Sequence, residues 1–466
     1  MTAYGRTFQL GAGYSGHQVQ YSIDKVKELK TDGFFHINKT FLPAKIFYFL
    51  FMGSMVSFLP FVPVYMEQLG LNSFQIGIIR AVQPICTIIA CPFWGTVADK
   101  FSIHRIVVLI GIAVGCTASG ATYFTPSALN STTTNSTSGG PSPPPLDWDD
   151  SLLTFSIMIS LSTVFIVFLA PVNPMIDSNV MELLKDHPDT DYGKQRLWGA
   201  VGWGSMSGLT GLAMDTYVKY NPDGNRFLPA YIIFALMMAP AIIPVLIMKF
   251  PPHSTPMSIS KELLNLFREV KIIIFFIIAA VCGLSLGVIG TFQFLFLNEL
   301  EAPSLVMGLT LTFTCVSEIP FMYLSDRFIQ WFGHETVFSI VLFCYSLRFF
   351  LYSILQDPWH ILPIELLHGI CFGALWPAAA SFANKVAPEG MGATVQTLMS
   401  AASLGLGAGL GTIGGGYIYN NLGARTLFVY CGILCSVTTV LFIIYAILDY
   451  FLVKRRSRQT EYDRIQ

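Results

Sequence analysis

Charge is what this 466-residue sequence has least of: Asp, Glu, Lys and Arg make up 12% of it, about half the share of an ordinary soluble chain. Hydrophobic residues reach 53% and mean hydropathy is +0.58, a composition suited to a bilayer and not to water. Net charge is −1, so no bulk field draws nucleic acid, and no nucleic-acid motif occurs. The nine cysteines fall in apolar runs, none paired across a polar outer loop, so neither a disulfide framework nor a metal site is expected. No Gly-Lys-Ser/Thr phosphate loop is present, which argues against ATP as the driving force. No nucleophile–base pair appears, so an enzyme is not expected, nor a cofactor. The first 43 residues lack a long apolar core and carry Arg6, Lys25, Lys27, Lys30 and Lys39; they read as a cytosolic tail without a cleavable leader.

What is there is a series of long apolar runs. A span needs about 20 such residues, and counting them predicts twelve: 44–66, 73–95, 104–124, 151–180, 194–216, 229–249, 271–297, 304–324, 336–355, 362–384, 392–419 and 427–451. Lys and Arg concentrate in alternate connections, at Lys100, Arg105, Lys185, Lys249, Lys261, Arg268, Arg327 and Lys385, and in a basic tail, 452–466. By the positive-inside rule both ends face the cytosol. The Ser/Thr/Pro/Gly-rich segment 125–150 then lies outside, where the sequons at Asn130 and Asn135 are predicted to be glycosylated; Asn38 also matches but lies on the cytosolic side. The segment 250–270 divides six spans from six, with helical spacing from Lys261 to Val270. The expected organisation is a tail (1–43), a six-helix bundle (44–249), this linker, a second bundle (271–451) and the basic tail. Pro92-Phe93 to Asp99-Lys100-Phe101 closes span two; Pro320-Phe321 to Asp326-Arg327-Phe328 closes span eight. Repeated halves are the sequence sign of a transporter whose site lies midway between them.

Gly95-x-x-x-Asp99-Lys100-x-x-x-His104-Arg105 resembles the loop between spans two and three of the major facilitator superfamily, with Ser102 where that pattern has its second Gly. The resemblance implies an all-α membrane fold of twelve helices in two pseudo-symmetric bundles. It also implies that Gly95, Asp99, Lys100 and Arg105, echoed by Asp326 and Arg327, form a conformational latch; the plainer reading is a solvated charged turn. Within the superfamily the chain is most similar to the animal group named for major facilitator domain-containing protein six. Gln75-Ile-Gly-Ile-Ile-Arg80-Ala-Val-Gln83-Pro84, Pro92-Phe-Trp-Gly and Asp191-Tyr-Gly-Lys-Gln-Arg196-Leu-Trp-Gly199 carry that likeness. More distantly, Tyr192-Gly-x-x-Arg196-x-Trp-Gly resembles the fifth span of the lactose/proton symporter, whose Arg binds sugar hydroxyls. By this resemblance Asp177 is its acidic partner, Arg348 and His368 match the Arg and His of spans nine and ten, and Glu318 falls near the acid of span eight. The symporter's proton-carrying Glu corresponds here to Cys371, with Glu365, one turn before His368, as a substitute on the same face.

Ionisable residues inside spans are costly and mark function by default. Asp177 and Arg196 read either as a pin between spans four and five or as a switch that a ligand opens, since Arg presents a flat fork of donors. Arg80 either snorkels to the interface or faces the cavity, where it suits an anionic or hydroxyl-rich ligand. Glu318 and Arg348 are expected to pair as the second half's counterpart. Glu365 and His368 are the candidates for proton exchange, or else satisfied polar residues in a packed interface. Trp198 could stack on a ligand's ring, and the glycines from Gly405 to Gly416 read as a packing and hinge device. The function expected is secondary transport of a small polar organic solute by alternating access, with proton coupling open, by a monomer in a plasma membrane or endomembrane. A glycosylated receptor that keeps the fold but moves nothing is the alternative, and a channel is disfavoured for want of a filter.

Overall fold

Helices are the only regular structure among the described residues. In a chain this apolar the backbone must satisfy its own N–H and C=O groups segment by segment, which a helix does. The computed structural model describes residues 40–128, 148–185, 192–250, 269–387 and 392–465; the sequons Asn130 and Asn135 and the expected linker helix lie outside them.

The helices fall where the apolar runs predict. They are α1 (Leu42–Gln68), α2 (Ser73–Phe101), α3 (His104–Thr122), α4 (Ser151–Leu184), α5 (Tyr192–Tyr220), α6 (Leu228–Ile247) and α7 (Val270–Glu299), then α8 and α9 within Ser304–Ser353, α10 (Pro358–Val386), α11 (Val395–Leu422) and α12 (Ala424–Ile465). Eleven stretches among the described residues are long and apolar enough to cross a membrane. The exception is α5, long enough at 29 residues but rich in glycine and polar side chains. Its position explains this. It lies between α1 of its own half and α8 of the other, and both backbones come close: a Cβ on Gly202 would stand 3.1 Å from the Phe49 Cα, and one on Gly211 2.9 Å from the Leu305 Cα. A helix flanked this tightly needs small residues.

Proline and positive-φ residues place the bends. α1 breaks at 59–61, beside Pro60, and α4 breaks before Val172, at Pro171. Proline removes the N–H that would continue the ladder. α2 opens on a capping box: the Gln75 N–H donates to Asn72 Oδ1 at 2.9 Å, and the Asn72 N–H donates to Gln75 Oε1 at 3.0 Å. It closes at Ser102, in the left-handed conformation (φ 54°). α8 and α9 meet at Gly333 (φ 78°, ψ 162°). The expected end of span eight near 324 is therefore too early, and Asp326 and Arg327 stand in helix about two turns before the bend. α12 likewise runs on through Ile465, into the stretch read as tail.

Helices α1–α6 pack mainly with one another, as do α7–α12, and the halves meet through α5 against α8 and α2 against α11. At one end they are stitched together. The Ser304 and Leu305 N–H groups donate to Asp215 at 2.8 Å each. Arg226 donates to Asn298 at 2.7 Å, and Asn298 to Glu67 at 2.8 Å. Phe61 meets Phe294 edge-on. The deepest links are from Thr312 Oγ1, which contacts Ser207 Oγ at 2.9 Å and donates to the Gly204 carbonyl at 2.8 Å. From there to the Ser102 and Gly333 turns, the described residues of the two halves exchange no hydrogen bond or ion pair.

Candidate functional site

Arg348, on α9, and its counter-ion Glu365, on α10, are the most deeply enclosed charges among the described residues, at 1% and 0% exposure. A buried charge is tolerated only when paired and hydrogen-bonded, and every nitrogen and oxygen of this pair has a partner. Arg348 Nε donates to the Tyr352 hydroxyl at 2.7 Å, Nη1 to His368 Nδ1 at 2.8 Å, and Nη2 to Glu365 Oε2. Glu365 Oε1 also accepts from Gln293 Nε2 at 2.7 Å and from the Tyr352 hydroxyl. The spacing does part of this work, since Tyr352 is i+4 from Arg348 and so shares its face.

The chain of contacts continues to less buried residues. A guanidinium has no acceptor, so His368 Nδ1 must accept from Arg348, and the ring proton sits on Nε2. Nε2 then donates to Glu318 Oε1 at 3.0 Å. His368 and Glu318 are partly exposed, at 14% and 22%, whereas Glu365 and Arg348 are sealed. A second proton can enter the imidazole only if Arg348 lets go of Nδ1. Just beyond His368, α10 widens into a π-helical stretch, Gly369–Ala374, a distortion often found at functional sites. Phe372 stacks on the imidazole at 5.4 Å, and Trp376 meets Phe372 edge-on.

The first half holds a smaller and wetter arrangement. Arg196 Nη1 lies 3.8 Å from Asp177 Oδ1, while its short contact, 2.8 Å, is to Asn173 Oδ1. Asn173 Nδ2 donates to Asp177 Oδ2 at 3.1 Å, and the Tyr48 hydroxyl donates to Oδ1 at 2.6 Å. The guanidinium also stands 5.2 Å from the centre of the Tyr48 ring. The amide thus relays the interaction between acid and base.

At the α2–α3 turn Asp99 takes His104 Nε2 at 2.8 Å and remains 56% exposed. Arg105 donates to the Met248 carbonyl at 2.6 Å, tying the turn to α6. Lys100 lies 5.5 Å from the Phe101 ring centre, the space over Gly95 is open, and Arg327 is exposed. The Asp326 side chain lies outside the described residues.

Comparison with known proteins bears on what this scaffold is. The profile of the MFS_1 like family matches residues 41–430. The chain belongs to the MFS_1 like family. This membership and the apolar helices make the protein an integral, multi-pass membrane protein. It is similar to the maltose permease of Geobacillus stearothermophilus, at 24% identity over 86% of this chain and 93% of that one. It is also similar to the major facilitator superfamily domain-containing protein 6-like of Danio rerio, at 23% identity over 61% of this chain and 52% of that protein. In three dimensions it resembles the nucleoside transporter NupG, with a TM-score of 0.71 at 19% identity over 87% of this chain and 99% of that chain. The expected twelve-helix architecture and the likeness to the animal group agree with these findings.

Within this MFS_1 like scaffold, the expected pairing of Glu318 with Arg348 is corrected. Arg348 pairs with Glu365, on the adjacent α10, and Glu318 pairs with His368. Glu365 and His368 do not bond each other but share Arg348. The expected Asp177–Arg196 pair is present only at long range, through Asn173. Arg80 does not snorkel outward: Nη2 reaches across to the Gly290 carbonyl on α7 at 3.5 Å. Trp198 is 42% exposed, and no ring contact to it is found among the described residues. Cys371, where the resemblance places an acid, is fully buried. Tyr48, Asn173, Tyr352 and Gln293 were missed, as single neutral polar residues in helices carry no charge to flag them. Helical spacing could have found two of them, Asn173 at i−4 from Asp177 and Tyr352 at i+4 from Arg348.

Proposed function

We propose that the chain is a proton-coupled secondary transporter, which carries a small polar organic solute by alternating access. The observation that carries the coupling is the graded line Glu318–His368–Arg348–Glu365. Its outer members are partly exposed, its inner members are sealed, and its imidazole cannot gain a proton without releasing the arginine. Binding a proton at His368 or Glu318 therefore rearranges charge inside the second bundle. A ligand or proton that distinguishes two arrangements shifts their populations. Asp177, Asn173, Arg196 and Tyr48 offer the solute donors and acceptors from the first bundle. Similarity to proteins named for maltose and nucleoside transport supports a solute of that size.

The membrane orientation follows from the basic residues at the Asp99 end. With that end cytosolic, the stitched end faces outward, and among the described residues Asp99 meets only His104 of its own turn. The test is uptake of radiolabelled sugars, nucleosides and organic acids by proteoliposomes holding the purified full-length chain, with and without an imposed pH gradient. Accumulation that follows the gradient supports the reading. Uptake indifferent to pH removes His368 and Glu318 from the mechanism, and the absence of uptake, alongside binding to the intact protein, favours the receptor.

A further inference from the structure

Among the described residues, Arg80 is the partly buried arginine that has no short hydrogen bond. Arg196, Arg226 and Arg348 each have an acceptor at 2.7–2.8 Å. Arg80 has a single contact at the outer limit of a hydrogen bond, 3.5 Å to the Gly290 carbonyl, and such a contact contributes little. Its Nη1 is enclosed and has no acceptor at all. No carboxylate among the described residues forms an ion pair with it. A guanidinium stays charged in a protein, and an enclosed charge without a partner is strongly unfavourable.

The helix surface facing this cation is open at Gly290. Gly290 is exposed in the middle of α7, and a Cβ built on it would have no neighbour within 4 Å. The contact joins α2 of one half to α7 of the other, so the opening lies on the seam along which a solute would pass. The fork geometry of a guanidinium matches a carboxylate with two parallel bonds.

We infer that Arg80 receives the carboxylate of the transported solute, so that this protein handles an organic anion and not a neutral polyol; the inference rests on the transport reading above. A small inorganic anion such as chloride would satisfy the same donors, so the test separates the two sources.

The measurement is thermal unfolding of the purified full-length chain in detergent, titrated with acetate, lactate and glucuronate, with their neutral counterparts glycerol and glucose, and with sodium chloride. At least one carboxylate should raise the wild-type midpoint where the neutral compounds do not. Arg80→Gln should weaken that carboxylate's apparent affinity about tenfold or more, as expected for a lost charge-assisted bond. Gly290→Ala is the second variant. Its methyl enters open space and leaves the helix intact, yet narrows the slot, so it should weaken the same carboxylate if Arg80→Gln fails to fold. A chloride shift erased by Arg80→Gln, with no carboxylate effect, overturns the solute assignment in favour of an inorganic anion. Carboxylate or glucose effects equal in wild type and variants overturn the site. Binding at equilibrium does not require transport: pH-indifferent uptake would sink the coupling reading and leave this anion site standing.

Discussion

Asp215, near the end of α5, accepts the backbone N–H of Ser304, the first residue of α8 in the other half, at 2.8 Å. The next amide, that of Leu305, is held by the second carboxylate oxygen. A carboxylate at a helix N-terminus satisfies orphan donors and interacts favourably with the helix dipole. Here the capping residue comes from the opposite bundle, so the cap exists only while this end is closed. Asp215→Ala removes it without touching the cavity. The cost of a lost cap, about 1 kcal/mol, corresponds to roughly a fivefold shift in population towards the state open at this end. Labelling of a cysteine introduced at Val64, buried at this same end, by a membrane-impermeant thiol reagent should rise accordingly. Unchanged labelling would mean that the cap does not hold the gate.

Arg348 and Glu365 make a prediction about folding. Removing one member of a sealed ion pair leaves an uncompensated charge and typically costs about 3–5 kcal/mol. Arg348→Met alone and Glu365→Leu alone should therefore yield little folded protein. The double replacement removes both charges and should recover much of the yield, judged by monodisperse chromatography. Its transport should remain lost if the pair couples protons. A double variant as poorly folded as either single would show that Tyr352, Gln293 and His368, stripped of their partners, matter more than the charges.

His368 can be tested more gently. In His368→Gln the new side chain offers an amide oxygen to accept from Arg348 and an amide N–H to donate to Glu318, so both contacts are kept in kind. The amide cannot take up a proton near neutral pH. Folded yield should stay within about 1 kcal/mol of wild type in stability, while gradient-driven accumulation falls to the level of facilitated exchange. Accumulation that survives the substitution would place the coupling elsewhere.

How much of this was legible beforehand depended on whether a signal was local. Twelve apolar runs were readable because the thickness of a bilayer fixes the length of each, and even glycine-rich α5 was counted despite the polarity that its two close neighbours impose. The end of α8 was not readable. Asp326 and Arg327 look like loop residues, yet a helix that continues about two turns further carries them until Gly333 bends the chain. The charged residues of the site were found one by one, because charges in apolar runs stand out. Their partners were not, because sequence distance does not say which helices touch. Glu318 and Glu365 are equally acidic, and only the packing of α9 against α10 gives Arg348 to the second. The neutral members left no charge to follow, and Asn173 is the clearest loss: it carries the contact that the sequence assigns to Asp177 and Arg196 directly.

That relay separates two variants that a direct salt bridge would make equivalent. With Arg196→Ala, Asp177 keeps its two short donors, Tyr48 at 2.6 Å and Asn173 at 3.1 Å. Both charged side chains are about a quarter to a third exposed, so the lost long-range attraction is screened and worth less than about 1 kcal/mol. With Tyr48→Phe the ring stays beside Arg196, but the carboxylate loses its shortest donor, a change of about 1–3 kcal/mol for a bond to a charged group. Tyr48→Phe should therefore lower the thermal midpoint more than Arg196→Ala does. Arg196→Ala should leave membrane expression intact while abolishing uptake, if the guanidinium fork is offered to the solute as proposed. If Arg196→Ala proves the more damaging to stability, the pair pins α4 to α5 and takes no part in transport.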